Sequence, residues 1–231
     1  MAAISGYTAS SSVLRRKIAL ALPPLVAAQR RLDQHPDPAA AWLAFLGAGY
    51  GSIRASVPLL ETARDRARDL SPTDPLAAGL VDYLREHAEE ERGHDEWLLQ
   101  DLQSVGVASA ELLSRPPSDA VAALVGAQYY WVLHYHPVCL LGYLMVLEGN
   151  PPDRRRLQDL RSRSGLPASA FRTMLKHADL DIGHAAELDD LLDRLPLSPG
   201  HKEGLGLSAI STVAGLTRVL QEVGDRLAAG G

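Results

Sequence analysis

The sequence predicts an all-α fold, one bundle of seven or eight helices, and three observations lead to this prediction. Between breaks rich in proline and glycine, segments of roughly 12 to 40 residues repeat their apolar side chains with the 3.6-residue period of a helix. No alternating run of Val, Ile and Thr indicates a strand. No linker longer than about five residues and no internal repeat divides the chain. We therefore predict a single domain over residues 1–231.

Proline, glycine and capping residues mark the helix ends along the chain. Asp74 followed by Pro75 is typical of a helix start, because aspartate caps the first turn and proline is tolerated at the first position. Ser118 or Asp119 can cap a later helix, and Gly149 ends it. The breaks fall at residues 36–38, 71–75, 115–118, 149–152, 165–167 and 195–200.

Two segments are predicted as long single helices. Residues 76–105 carry one apolar face. Residues 121–147 form the other helix, which we expect to be kinked at Pro137 because proline removes a backbone hydrogen bond. Tyr130 and Trp131 in this second helix are candidate walls of a pocket, the alternative being an ordinary core cluster.

Composition and charge exclude several classes of protein. The chain has 231 residues, 23 Lys and Arg against 28 Asp and Glu, and a net charge of −5, whereas nucleic-acid binders are usually basic. Cys139 is the single cysteine, which excludes a disulfide within the chain and a zinc site built from cysteines. We find no apolar run near the ~20 residues of a membrane span. We expect a cytoplasmic protein without nucleic-acid or membrane partners.

The segment around residue 90 carries a first group of candidate ligands. In the predicted helix around residue 90, His87, Glu90, Glu91 and His94 share a face, because they are spaced i, i+3, i+4 and i+7. The flanking residues are apolar, which favours an inward-facing group. The alternative is a solvated acidic helix face.

A second group of candidate ligands occupies a narrow sector of one predicted helix. His177, Asp181 and His184 fall within a wedge of about 60° on one helix. Two imidazoles and a carboxylate that converge suit Fe(II), Mn(II) or Zn(II), whereas Mg²⁺ and Ca²⁺ prefer oxygen ligands only. Two surface histidines beside an acid are the alternative.

Two glutamates follow apolar stretches. Glu148 ends an almost wholly apolar helix, where a carboxylate opposes the helix dipole and needs an arginine or a cation as partner. Glu61 has a similar setting, with an exposed helix glutamate as its alternative.

Together these residues predict a two-metal site, because helical bundles hold two ions with carboxylates and histidines from separate helices. Four carboxylates would neutralise two divalent cations. The sequence contains no P-loop, zincin helix or nucleophile elbow that would indicate another kind of catalytic site. The predicted ligands are Glu61, Glu91, His94, Glu148, His177, Asp181 and His184.

These motifs resemble the haem-oxygenase-like di-iron oxidases and oxygenases, also called iron-containing redox enzymes. The resemblance spans residues 40–195, and the His-x3-Asp-x2-His helix is its most specific part. Some members carry a glutamate seven residues before the first histidine, where this chain has His87. Either Glu91 or Glu90 substitutes for that ligand, or His87 itself ligates.

The resemblance implies a seven-helix haem-oxygenase-like fold that binds two ferrous ions, with manganese as an alternative metal. It implies O2-dependent oxidation of a small amine, amino acid or fatty acid in a biosynthetic pathway. The implied partners are O2 and this small molecule. The resemblance leaves open whether an external electron donor takes part and whether the chain forms a homodimer.

Two other functions stay open at this point. One is a cofactor-free member of the same fold, such as a thiaminase or a PQQ-synthesis-like enzyme, although Cys139 lies in an apolar segment typical of core. The other is a metal-binding bundle without turnover. Haem oxygenase itself needs an axial histidine on the first helix, and residues 12–32 contain none.

Overall fold

The computed structural model describes residues 9–230, apart from the side chain of Glu111. Within this range the chain forms twelve α-helices and two short 3₁₀ turns, at Pro137–Cys139 and Ala168–Phe171, and no strand. The all-α prediction is confirmed, with the helices divided more finely than expected. The helices are Ser10–Ala21 (α1), Pro23–Asp33 (α2), Pro38–Leu70 (α3), Pro75–Ala78 (α4), Val81–Glu90 (α5), His94–Gln103 (α6), Ser109–Ser114 (α7), Asp119–His134 (α8), Leu140–Leu147 (α9), Arg154–Ser164 (α10), Arg172–Arg194 (α11) and Pro199–Gly230 (α12).

The two longest helices, α3 and α12, organise the bundle. α3 packs against α5, α6 and α8, and α12 packs against α1, α2, α8 and α9. The side chain of Asp37 caps α3 by accepting a hydrogen bond from the amide of Ala40 at 2.9 Å. Within the described range, α3 is the one helix long and apolar enough to cross a bilayer, with a mean hydropathy of 1.2. It passes this test by length and composition alone, and it packs against other helices of the bundle.

α9 is the most buried of the helices near the candidate ligands. Seven of its eight residues are buried. It lies close to α12, since a Cβ added at Gly142 would stand 2.5 Å from the carbonyl oxygen of Leu205. This close approach holds α9 in the core, and Glu148 follows directly after its last turn.

The predicted single helix over residues 76–105 is wrong, because the chain breaks twice. Asp74 caps α4 as predicted, accepting from the amides of Leu76 and Ala77 at 2.9 and 3.2 Å. α5 then ends at Glu90, and Gly93 adopts a φ of 88° before α6 begins. A positive φ is accessible to glycine at little cost and stops a helix. The break therefore puts the candidate ligands of this segment on two helices.

The helix predicted over residues 121–147 is interrupted rather than kinked. α8 ends at His134, His136 is extended as expected of a residue before proline, and α9 starts only at Leu140. The ring of His136 accepts from the amide of Val138 at 3.0 Å and bonds the carboxylate of Asp74 at 3.1 Å. Tyr130, a candidate pocket wall in the sequence, is 61% exposed.

Candidate metal centre

Three side chains meet between α5, α6 and α11 and form the Glu91 triplet, defined as Glu91, His94 and His177. One ligand atom from each lies within 4.8 Å of the others. Glu91 Oε1 is 3.1 Å from His94 Nδ1, and the rings of His94 and His177 meet edge to face at 4.9 Å. Glu91 is 8% and His94 2% exposed, whereas His177 is half-buried.

A backbone contact sets the tautomer of His177. Its Nδ1 lies 2.9 Å from the carbonyl oxygen of Thr173, one helical turn earlier. Because a carbonyl only accepts, Nδ1 carries the proton and Nε2 keeps its lone pair for a metal. Burial, reinforced by the like charge of His94, lowers the pKa of His177 and favours the neutral, metal-binding ring.

A second group, the Glu90 triplet, consists of His87, Glu90 and His184, which also lie within 4.8 Å of one another. Glu90 Oε2 is 3.6 Å from His87 Nδ1 and 3.6 Å from His184 Nε2. His87 is 1% exposed, whereas the side chain of Glu90 is 51% exposed. This triplet therefore connects the buried centre with the surface.

Two further carboxylates adjoin the Glu90 triplet. Glu148 Oε1 is 3.0 Å from His87 Nε2, and its Oε2 is 3.6 Å from His184 Nδ1. Asp181 Oδ1 is 3.9 Å from the same nitrogen of His184. Both acids are buried, at 8% and 3% exposure. The partner that Glu148 was predicted to need is thus a histidine in the chain itself.

Protonation follows from this packing. Burial alone would lower the pKa of His87, but the hydrogen bond to Glu148 and the other nearby glutamates raise it to about 9. His87 is therefore an imidazolium at neutral pH, and its Nε2–H donates to Glu148. Burial, reinforced by the charges of Glu148 and Glu91, raises the pKa of Asp181 to about 8.

Glu91 behaves oppositely. Burial alone would raise its pKa, but His94 at 3.1 Å and the positive charges of the other histidines bring it below the ordinary value. Glu91 is thus kept as a carboxylate by its histidine neighbours. The centre contains one acid kept ionised and one acid kept protonated within a small volume.

Several buried polar atoms of the centre have no hydrogen-bond partner, which is costly in a protein interior. His94 Nδ1 lies near Glu91 but lacks hydrogen-bond geometry. Imidazole nitrogens and carboxylate oxygens together suit Fe(II), Mn(II) or Zn(II), so the donor set fits the implied metals. The unpartnered atoms are His87 Nδ1, His94 Nδ1, Glu148 Oε2, Asp181 Oδ1 and His184 Nδ1.

The structure brings six of the seven predicted ligands into this cluster and leaves out Glu61. The carboxylate of Glu61 lies 3.2 Å from Arg92 Nη2, and its side chain is 38% exposed. His87 and Glu90, the alternatives considered for Glu91, both lie in the cluster. The ligand assignment itself stays a prediction.

The α11 residues do not converge on one point. His177 joins the Glu91 triplet and His184 joins the Glu90 triplet. Seven residues advance a helix by about 10 Å, so two side chains on one face still reach different neighbours. The candidate ligands on this face of α11 therefore belong to two adjacent groups rather than to one.

Sequence reasoning missed Arg15, which links the residues that directly follow two candidate ligands. Its Nη1 donates to the carbonyl of Gly149 at 3.0 Å, and its Nη2 donates to the carbonyl of Ala185 at 3.3 Å. These residues directly follow Glu148 and His184 in sequence. Its Nε bonds the Asp189 carboxylate at 2.9 Å. Contacts to carbonyl groups leave no spacing pattern in a sequence.

Two tyrosines were missed as well. Tyr143 of α9 is 1% exposed, and its hydroxyl has no hydrogen-bond partner. Burial, reinforced by the charges of Glu148 and Glu91, raises its pKa. Tyr83 stacks on His87 with ring centroids 5.4 Å apart. The i, i+4 spacing of that pair on α5 is the one signal that the sequence offers.

A cavity of about 440 Å³ opens beside the Glu90 triplet, between α5 and α11. His87 and Glu90 belong to its wall. It is lined by Gly79, Asp82, Tyr83, Glu86, His87, Glu90, Glu187, Asp190, Leu191 and Arg194.

Known proteins share this fold and part of the sequence. Residues 67–204, more than half of the chain, match the family described as iron-containing redox enzyme. No curated protein matches the sequence. The chain is similar to a domain of unknown function with a heme oxygenase-like fold from Shewanella denitrificans, with a TM-score of 0.81 and 19% identity over 94% of this chain and 92% of that one.

It is also similar to a TenA homolog from Pseudomonas syringae pv. tomato, with a TM-score of 0.73 and 13% identity over 95% of this chain and 94% of the other. At such identities the likeness concerns the fold alone. The prediction of a haem-oxygenase-like bundle is confirmed.

Proposed function

Because the chain belongs to the iron-containing redox enzyme family, we propose that it is a non-haem di-iron enzyme that uses O2 to oxidise a small amine, amino acid or fatty acid. The observation that carries the proposal is the pair of adjacent triplets with their unpartnered buried ligand atoms. Four acids, Glu90, Glu91, Glu148 and Asp181, balance the charge of two divalent cations. In this proposal Glu90 supplies the fourth carboxylate, and Glu61, which pairs with Arg92, is not a ligand.

The Glu91 triplet would hold one ion, and the Glu90 triplet with Glu148 and Asp181 would hold the other. A bound ferrous pair supplies electrons for the reduction of O2. Thr173 holds the His177 ring in its metal-binding tautomer. His87 and Asp181 would release their protons when the ions bind.

The electron balance separates two modes. An oxidase removes two electrons and two protons from its substrate and converts O2 to H2O2, and it needs no other reductant. An oxygenase that inserts one oxygen atom and releases the other as water needs two electrons from an external donor. Both modes use O2 and one small molecule as partners.

A thiol-based reaction, as in a thiaminase, finds no support here. Cys139 is fully buried, and burial raises the pKa of its thiol to about 12, so it is a thiol rather than a thiolate at neutral pH. It packs in the core against Tyr135 and Gly204, since a Cβ added at Gly204 would touch both side chains.

Anaerobic titration with Fe(II) tests the metal. Wild-type protein is expected to bind about two irons, and His177→Ala and His184→Ala should each bind about one or fewer because each removes a donor from a different triplet. Glu61→Gln is the matched control and should keep two. Two irons in both histidine variants would contradict the proposal.

Mixing the loaded protein with O2 tests turnover. O2 uptake should rise when a member of a panel of amines, amino acids and fatty acids is a substrate, and one of them should be consumed. A metal-storing bundle would instead oxidise iron at a rate indifferent to the panel and accumulate many irons per chain.

A further inference from the structure

An exposed apolar face covers two neighbouring helices, α8 and α12, on the outside of the bundle. Residues 120–133 of α8 include no charged side chain, although part of this segment faces solvent. A contiguous apolar patch bordered by polar residues is typical of a protein–protein interaction site. Five of the ten large apolar side chains that are exposed in the described residues lie on these helices or directly after α8, namely Tyr130, Leu133, Tyr135, Leu207 and Ile210.

The two helices form one continuous surface because α8 lies antiparallel beside α12. Near the start of α12, a Cβ added at Gly204 would stand 2.6 Å from Cε1 of Tyr135, which follows α8. Further along α12, Arg218 Nη2 is 2.9 Å from Oδ2 of Asp119, the first residue of α8. Such a face, about 24 Å long and about 20 Å wide, buries roughly 1,000 Å² in total when two copies meet, which is at the low end of specific interfaces.

The exposed stripe of α12 is complementary to itself when its direction is reversed. Its residues are spaced by four, three, four and four positions, close to the spacing of a coiled-coil seam. An acid stands at one end, a base stands at the other, and apolar side chains lie between them. The stripe consists of Glu203, Leu207, Ile210, Ala214 and Arg218, all of them exposed.

A two-fold axis between residues 210 and 211 would turn this stripe into an interface, because two-fold contacts place the same surface on both copies. Glu203 of one copy then lies opposite Arg218 of the second, and this pair occurs twice. Leu207 lies opposite Ala214 of the second copy, and Ile210 lies next to its own symmetry mate. Glu203 has no ion pair with any residue from 9 to 230, so the contact supplies its partner.

We propose that the chain forms a two-fold dimer in which α12 packs antiparallel against α12 of a second copy, with α8 at the edges of the interface. A different protein would need a complementary stripe of its own, whereas a second copy of this chain carries one already. The candidate ligands lie on α5, α6 and α11 and directly after α9, so the dimer does not depend on a bound metal.

Sedimentation velocity over a range of protein concentrations, with metal-free and with anaerobic Fe(II)-loaded protein, tests this inference. Wild-type protein is expected to be a dimer that dissociates on dilution. Ile210→Glu should raise the dissociation constant at least tenfold, because it brings two like charges together at the axis. Leu113→Glu is the matched control, since Leu113 of α7 is 49% exposed and Ile210 is 44% exposed, and it should behave as wild type does.

Charge reversal tests the register of the two helices. Glu203→Arg and Arg218→Glu should each raise the dissociation constant several-fold, because each places like charges opposite one another across the axis. The double variant Glu203→Arg/Arg218→Glu should recover most of this loss. A general effect of surface charge would not produce such a rescue.

Three results would overturn the proposal: a monomer throughout the concentration range, a dimer that Ile210→Glu leaves unchanged, or single charge reversals that the double variant does not rescue. Circular dichroism of each variant checks that the helices are intact. The Fe(II) titration of Ile210→Glu should equal that of wild type, so the test of the dimer and the test of the metal centre are separate.

Discussion

Two side chains of the centre, those of His87 and Asp181, carry a proton at neutral pH in the absence of a metal ion. His87 is held as an imidazolium against Glu148, and Asp181 is held protonated by burial and by neighbouring acids. A protonated Asp181 is stable in the fold only while the pH stays below its raised pKa. In the folded protein the pKa of Asp181 is about 8, above its ordinary value. The contribution of Asp181 to the free energy of unfolding is therefore full below about pH 4 and is lost as the pH rises towards 8.

Asp181→Asn should therefore stabilise the metal-free protein, and more so at pH 8 than at pH 5. The gain at pH 8 is expected to be about 1–3 kcal/mol, the cost of an uncompensated buried group. In a chain of this size each kcal/mol raises Tm by about 2–4 °C. Thermal melts in the presence of a chelator measure this difference.

Asp179→Asn is the control, because Asp179 lies on the same helix but is exposed and paired with Arg154. It should not gain stability at pH 8. A Tm gain of Asp181→Asn that is equal at both pH values would show that Asp181 is solvated in the folded protein.

At the scale of the elements, two features position the candidate ligands. The break at Gly93 separates His87 and Glu90 on α5 from His94 on α6, and Arg15 of α1 links the chain after Glu148 to α11. Each feature has a counterpart elsewhere in the chain that serves as a control.

Gly93→Ala should lower both stability and iron binding. Its φ of 88° costs a residue with a Cβ about 1–2 kcal/mol, and relief of that strain would shift His94 relative to Glu91. Gly106 has a φ of 86°, and like Gly93 it has no atom within 4 Å of an added Cβ. Gly106→Ala should lose similar stability and bind iron normally in the Fe(II) titration. Equal iron binding in both variants would show that the break does not position the centre.

Arg15→Leu should cost about 1–3 kcal/mol, because it leaves Asp189 and two carbonyl groups without their donor. It should also weaken iron binding by loosening the segments that follow Glu148 and His184. Arg15→Lys should recover part of both effects, since a lysine keeps the charge but cannot make all the bonds.

Denaturant unfolding measures the stability of these variants, and Fe(II) titration measures their iron binding. Arg16→Leu is the control, because Arg16 is exposed. Its free energy of unfolding should lie within about 0.5 kcal/mol of wild type, as is usual for surface substitutions. A loss of stability in Arg15→Leu without loss of iron affinity would assign Arg15 a purely structural role.

That these histidines and carboxylates would gather in one cluster was largely predictable from the sequence, because helical spacing survives in the fold. His177, Asp181 and His184 do share one helix, α11, as their spacing indicates. Glu61 could not be assigned from sequence, since its environment depends on Arg92, 31 residues away. The sequence predicted a kink at Pro137 where the structure has an interruption of the helix. The His136–Asp74 contact that accompanies this interruption joins residues far apart in the chain, so no local pattern indicates it.

At the scale of the whole molecule, the bundle brings residues from α5, α6, α9 and α11 to one buried cluster and opens it to the surface through the cavity beside Glu90. The description of the family names iron, and the imidazole and carboxylate donors of the cluster suit that metal. The central claim is that this cluster holds two ions, one in each triplet.

Anomalous diffraction at the iron edge, from crystals of the protein loaded anaerobically with Fe(II), tests this claim most directly. The account predicts two anomalous peaks per chain, one bounded by Glu91, His94 and His177 and the other by His87, Glu90 and His184, and loss of the second peak in His184→Ala crystals. A single peak, or peaks outside the two triplets, would contradict it.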